Sequence, residues 1–318
     1  MISLRYHIVS LVAVFLALAL GIVVGSTVLQ EGTVSVLRAT SERVRQESER
    51  NSRDNVALRQ EVSRLQGFGA TVLPELVQDR LKGRSVVLVD TDKVDSGMRD
   101  AVRKVLEDAG ARIDGQITFA DDRLALGAEA DRTALARLLA VEDAGTPEAL
   151  RGELVRKLAA RLATSTALPQ EDARRASDML TGLQDADFAD LKLSQPLAAG
   201  TDPFPHQGSM FVLLGPTATA TTAVAPDAFL VPLADHVSQQ ASGPVAGGEA
   251  AAVPKETSWI LALRDNREVS RRVSGIDSVD TVHGQLALVE ALQGRLPAGQ
   301  YGIKAGASGL LPERTEGS

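Results

Sequence analysis

The sequence predicts an α/β protein with an N-terminal transmembrane helix, a coiled-coil stalk and a Rossmann-like domain built on a mainly parallel sheet. Three observations carry this. A long uncharged apolar run opens the chain, a polar segment with seven-residue spacing follows, and beyond Pro74 short apolar runs alternate with helix-period patterns. On this reading the 318 residues divide into an anchor at 1–30, a helical stalk at 31–69 and an α/β domain at 70–318. With 44% hydrophobic and 24% charged residues the chain has the balance of a folded protein. Aromatics make up only 3%, so the core must come from Leu, Val and Ala. The net charge of −7 and the lack of a basic stripe with interleaved aromatics argue against nucleic acid as a partner. Without cysteine there are no disulfides, thiolate metal sites or Cys nucleophiles.

From Ile8 to Leu29, 22 residues carry no charge. At about 1.5 Å per residue they reach roughly 33 Å, enough for a hydrocarbon core of roughly 30 Å. The rival reading is a cleaved secretory signal, for which Ala17-Leu18-Ala19 has a small-x-small pattern, but the apolar run continues well past that point. Arg5 before the span against Arg38, Arg43 and Arg45 after it favours a cytoplasmic C-terminus by count alone. Long domains translocate largely regardless of such charges, so orientation stays open here. Ala13, Ala17, Gly21 and Gly25 recur every four residues, and Gly21 with Gly25 forms a GxxxG pair that lets two helices approach closely in lipid.

Residues 33–66 read as a polar helix in which Leu37, Val44, Asn51, Leu58 and Leu65 stand seven apart, with Ser41, Ser48, Asn55 and Val62 beside them. This seam is apolar at both ends and polar in the middle. Asn in such a seam lowers stability and fixes register. A solvated single helix is the alternative; combined with the small-residue stripe, the pattern predicts a parallel homodimer held by Ala13, Ala17, Gly21, Gly25, Leu37, Val44, Leu58 and Leu65. Gly67 and Gly69 are expected to close the stalk.

Within the domain, Val86-Val87-Leu88-Val89 is a continuous apolar run, the pattern of a strand buried on both faces. Met98, Val102, Val105, Leu106 and Ala109 line one helix face, and Gly110 marks its stop. Ile113–Phe119 reads as the next strand, completing a right-handed parallel crossover. Helical patterns cover about 131–141, 147–163 and 170–182, Met210–Leu214 is a second buried strand, and 226–240 is helical despite Pro232. Segments 196–209 and 241–256, rich in Gly, Pro and small residues, read as surface loops. Ile276–Val279 is expected as a short strand before a helix carrying Val282, Leu286, Val289 and Leu292.

Asp90-Thr91-Asp92-Lys93-Val94 follows the first strand and imitates the DxDxV signature of haloacid-dehalogenase-type phosphatases, in which the first carboxylate is the nucleophile and the second an acid/base beside Mg²⁺. Asp121-Asp122 stands one strand later, earlier than that family places its second acidic pair. The competing reading makes Asp92, Asp95 and Ser96 loop and helix-capping residues. No dinucleotide fingerprint, Walker motif or nucleophile elbow is present. Of the four histidines and four methionines only His206 and Met210 stand close together, as weak metal candidates.

The N-terminal MISLRYHIVSLVAVFLALALGIVVGSTVL, the strand start SVVLVD and the tail segments VSGIDSVDTVHGQLALVEAL and GQYGIKAGASGLLP together resemble the actinobacterial MctB-type copper transport family. The resemblance spans nearly the whole chain and is loose from about 120 to 256. It implies copper homeostasis or efflux by a non-enzymatic, single-pass cell-membrane protein with an extracytoplasmic domain. No cofactor is implied beyond copper itself, and no metal ligand carries over. Corynebacterial relatives called SteB imply an alternative, a cell-envelope and cell-division scaffold that docks a SteA-like membrane partner. A metal-dependent phosphatase is the third reading. The outer-membrane channel described for some members fits poorly with one apolar helix and few aromatics. Tyr301-Gly302, in its Gly-rich setting, reads as turns that end the fold.

Overall fold

The computed structural model describes residues 4–142, 145–163, 179–194, 204–206, 208–294 and 297–312, with the side chains of 4–5, 26–37 and 226 left aside. Contacts divide the chain into two units, Met1–Leu65 and Gln66–Ser318.

The first unit is helical and forms most of α1 (Leu4–Val77). Its stretch Tyr6–Gly25, 20 residues of mean hydropathy 2.9 with none buried, is long and apolar enough to cross a membrane. Residues 38–65 are exposed along their whole length. Local polar bonds support this part of the helix: Arg45 Nε reaches Glu49 at 3.1 Å and Asn55 Nδ2 donates to the Asn51 carbonyl at 2.8 Å. Each such contact adds only about 0.2–0.5 kcal/mol.

The second unit is a doubly wound α/β domain. In chain order it contains the end of α1, β1 (Ser85–Thr91), α2 (Ser96–Asp108), β2 (Arg112–Phe119), α3 (Asp121–Leu124), α4 (Glu129–Leu138), α5 (Pro147–Ala163), β3 (Ala189–Leu193) and β4 (Met210–Leu214). There follow α6 (Leu230–Gln240), β5 (Val245–Gly248), α7 (Trp259–Asp265), β6 (Val273–Ile276), α8 (Val282–Leu292) and β7 (Gln300–Tyr301). The sheet order is β3-β2-β1-β4-β5-β6-β7, and every pairing is parallel except β2 with the edge strand β3.

Period-two alternation assigns each strand residue to one of two cores. Val87, Val89, Ile117, Phe119, Phe211 and Leu213 pack against α5, α6 and α7 on one face. Val86, Leu88, Met210, Val212 and Leu214 pack against α2 and α8 on the other. Each fully buried aliphatic side chain contributes about 1.5–3 kcal/mol, so the run Val86–Val89 alone fixes β1 at the centre. Asp95 caps α2 by accepting from the Met98 amide at 3.1 Å, and Gly110, at φ +83, turns the chain out of the helix.

The sheet and its strand–helix alternation follow the sequence expectation, with several differences. Gly67 and Gly69 do not end the helix: α1 runs through both and through Pro74 to Val77. Leu73 and Val77 bury in the second core, and this burial offsets the helix bond that Pro74 removes. Gly69 is a close-packing point instead, since a Cβ there would lie 2.9 Å from Val282. The segment read as a loop over 241–256 contains β5, a buried interior strand. Its two glycines meet bulk on opposite faces: a Cβ on Gly247 would approach the Trp259 ring, and one on Gly248 would approach Val279. The strand expected at Ile276–Val279 lies three residues earlier, and the helix expected at 131–141 runs 129–138. Pro232 is the third residue of α6, inside the first turn, where its missing N–H breaks no helix bond. Of the helix expected at 170–182, residues 179–182 are helical and 170–178 lie outside the described residues, as does most of 196–209.

Candidate functional site

In a doubly wound sheet, ligands favour the crevice at the carboxyl ends of the strands where the strand order reverses. Here that point lies between β1 and β4. An open groove of about 360 Å³ occupies it, lined by Asp95, Gly97 and Met98 from the start of α2, by Thr217 and Thr219 after β4, and by Asp280 after β6. Its walls are more apolar than polar, with Met98, Ala101, Ala218 and Ala250 among them, and both of its carboxylates already hold backbone amides: Asp95 caps α2, and Asp280 Oδ1 accepts from the Ala251 amide at 2.9 Å.

Carboxylates stand at the ends of β1, β2, β5 and β6 at this edge. Asp90, at the end of β1, is fully buried; its Oδ2 accepts from Arg99 Nε at 2.6 Å and from Gln116 Nε2 at 3.0 Å. Burial pushes its pKa up, with hydrogen bonds from Thr118 and Arg99 and the Arg99 charge opposing. Asp92 Oδ1 accepts from the Asp121 amide at 3.1 Å. Asp121 accepts from the Ala223 amide and from Val224 N at 3.4 Å, and burial again raises its pKa against those two bonds. Asp122 is exposed beside Lys93. The four carboxylates of the DxDxV-like reading are thus spread over separate tasks. Among the described residues no group of three or more His, Cys, Asp or Glu is placed to hold a metal ion.

The two metal candidates are not presented together. His206 Nδ1 lies 2.7 Å from Oδ2 of the buried Asp114, which also takes Arg112 Nε at 3.0 Å and Ser209 Oγ at 3.2 Å. Met210 is completely buried, opposite Val86 in the β1–β4 ladder, with its side chain in the second core. In the first unit Ala13, Ala17 and Gly21 are exposed, Gly25 partly so, and a Cβ on Gly21 or Gly25 would meet nothing within 4 Å. Val44, Leu58 and Leu65 are 60%, 65% and 62% exposed, while the side chain of Leu37 lies outside the described residues.

Sequence reasoning missed the most elaborate polar network, which the tail segments build. Asp277, just after β6 and fully buried, accepts from Arg264 Nη1 at 2.7 Å, from the Ile303 amide at 2.8 Å and from the Lys304 amide at 2.9 Å. Arg264 Nη2 also donates to the Tyr301 carbonyl at 2.9 Å. Lys304 Nζ reaches the buried Glu249 at 2.6 Å, and Ser258 donates to the same oxygen. Burial raises the Glu249 pKa, and Lys304 and Ser258 draw it back. Gly302, at φ +131, is required here: a Cβ would lie 2.0 Å from Asp277 Oδ1. The available signal was a lone acid closing an apolar run, as in Gly275-Ile276-Asp277, the pattern that Asp90 also shows.

The fold and its rim therefore define a doubly wound α/β domain whose switch-point acids are tied into internal bonds, in a chain whose N-terminal helix is long and apolar enough to span a bilayer. The family model described as "Copper transport outer membrane protein, MctB" matches residues 1–312, and the chain belongs to that family. The Mycobacterium tuberculosis protein named copper transporter MctB is 35% identical over 122 residues, 38% of this chain and 39% of the relative; a Mycobacterium bovis protein of the same name matches equally. The chain thus spans about two fifths of the length of these relatives, whereas the Mycobacterium leprae protein of that name is 27% identical over 98% of this chain and 99% of its own length.

Proposed function

We propose that the chain is a membrane-anchored copper-homeostasis protein that displays its α/β domain outside the cytoplasm, works as a homodimer, and handles copper as cargo without catalysing a reaction. The observation that carries this reading is the family match over residues 1–312, which takes in both the apolar helix and the tail network. Retention of the helix as an anchor is supported by its apolar stretch, Tyr6–Gly25, and by the family description as a membrane protein. A non-catalytic role is supported by the complete burial of Asp90, whose Oδ2 is held by Arg99 and Gln116, so that the carboxylate in the nucleophile's place is out of reach of a substrate.

The test is growth of a deletion strain on graded copper. Loss of copper tolerance, restored by the full chain but not by one starting at residue 31, supports the reading. Unchanged tolerance after deletion overturns it, and so does full rescue by the chain without its helix.

A further inference from the structure

We propose that residues 38–65 pair with the same segment of a second copy as a parallel, in-register coiled coil whose direction is set by charge. This rests on the homodimer read above and deepens it. Val44, Leu58, Val62 and Leu65 are each more than half exposed, and their neighbours are exposed throughout residues 38–65. With Val44, Leu58 and Leu65 at heptad position d, Val62 falls at position a together with Ser48 and Asn55.

That assignment fixes the flanking positions. The g flank reads Thr40, Glu47, Asp54 and Glu61; the e flank reads Arg38, Arg45, Ser52 and Arg59. Every charge on one flank is acidic and every charge on the other is basic, and all of these residues are exposed. In a parallel pair the g flank of one helix lies against the e flank of the other, so acid meets base on both sides of the seam. Asp54 then faces Arg59 of the second copy five residues on, twice by symmetry. In an antiparallel pair g meets g and e meets e, which sets carboxylate against carboxylate and guanidinium against guanidinium. Asn55 at position a meets its own counterpart only when the two copies are parallel and in register, the arrangement in which a buried Asn specifies register. The bonds that Arg45 and Glu61 make within one helix, at 3.1 and 3.5 Å, are solvent-exposed pairs that exchange at little cost.

The experiment uses single cysteines in the full chain, in native membranes; the sequence has none of its own. Under mild oxidation Leu58→Cys and Leu65→Cys should each give a disulfide-linked dimer, while Arg53→Cys and Gln60→Cys, on the outer face, should give little or none. Added to Leu58→Cys, either Asp54→Arg or Arg59→Asp should slow cross-linking by about fivefold, and the two together should restore it. A Leu65→Cys chain that does not link to itself overturns the proposal, whether the seam is covered by an antiparallel copy, by another protein or by nothing. Failure of the double reversal to restore the rate overturns the role of charge. Copper tolerance is scored separately in the same cells: lost cross-linking with tolerance intact sinks the pairing alone, and dimers in a strain whose tolerance ignores the gene sink the copper role alone.

Discussion

Replacing Asp277 by Asn keeps the shape of the side chain and removes its charge. In the native domain this carboxylate receives Arg264 and two backbone amides while fully buried, and Arg264 itself has only 4% of its side chain exposed. The Asn amide group is a donor and cannot take over both oxygens, so one backbone N–H loses its acceptor and the guanidinium loses its counter-charge. Removing one partner of a buried ion pair costs about 3–5 kcal/mol. For a domain of this size each kcal/mol moves the midpoint by about 2–4 °C, which gives a drop of roughly 6–20 °C. Trp259 is the only tryptophan, is fully buried and sits on α7, the helix that carries Arg264, so its fluorescence reports the local loss directly in detergent-solubilised full chain. Double replacement by Arg264→Met and Asp277→Asn should lose less than Asp277→Asn alone, because no buried charge is left behind and the Asn oxygen still accepts from one amide. A midpoint for Asp277→Asn within about 2 °C of wild type would refute the argument that this network locks the tail onto the sheet.

Three further outcomes follow from the same geometry. Gly284→Ala would set a Cβ 1.9 Å from the Ser278 carbonyl, and chemical denaturation should show a loss of about 1–3 kcal/mol from overpacking; an unchanged midpoint contradicts the close approach of α8 to the turn after β6. Asp95→Ala removes the cap of α2 and should cost about 1 kcal/mol by the same measurement, with Asp95→Asn nearly neutral. For Asp90, burial lifts the folded pKa above its ordinary value of 3.8, so the native state holds its proton more tightly than the unfolded chain. The stability contributed by this group is therefore full below that ordinary value and lost as pH rises through the elevated one. Asp90→Asn should lack that slope, and unfolding curves of the two proteins that stay parallel from acid to neutral pH would contradict it.

The first half of the sheet is legible in the sequence for plain reasons. Val86–Val89 can be buried on both faces only as a central strand, and the spacing of Met98, Val102, Val105 and Leu106 allows only a helix with one covered side. The second half is harder, because β5 owes its place to its neighbours' bulk: Gly247 makes room for Trp259 and Gly248 for Val279, residues that arrive only later in the chain. The edge strands β3 and β7 are short and lack a long apolar run, so their pairing is a tertiary effect. At the site, Asp90 is visible as an acid closing an apolar run, yet its consumption by Arg99 and Gln116 is not, since Gln116 comes from the adjacent strand. The link between Glu249 and Lys304 is less visible still, as it joins segments far apart in the chain.

Because the amides of Ile303 and Lys304 and the Lys304 ammonium bond two interior acids, the domain cannot finish folding until the segment after β7 has arrived. A polypeptide cut short before this point would retain most of its apolar core and still carry Asp277 and Glu249 as half-compensated interior charges. Such fragments would be open to proteolysis, so the segment at 303–304 acts as a check that only a domain carrying it passes.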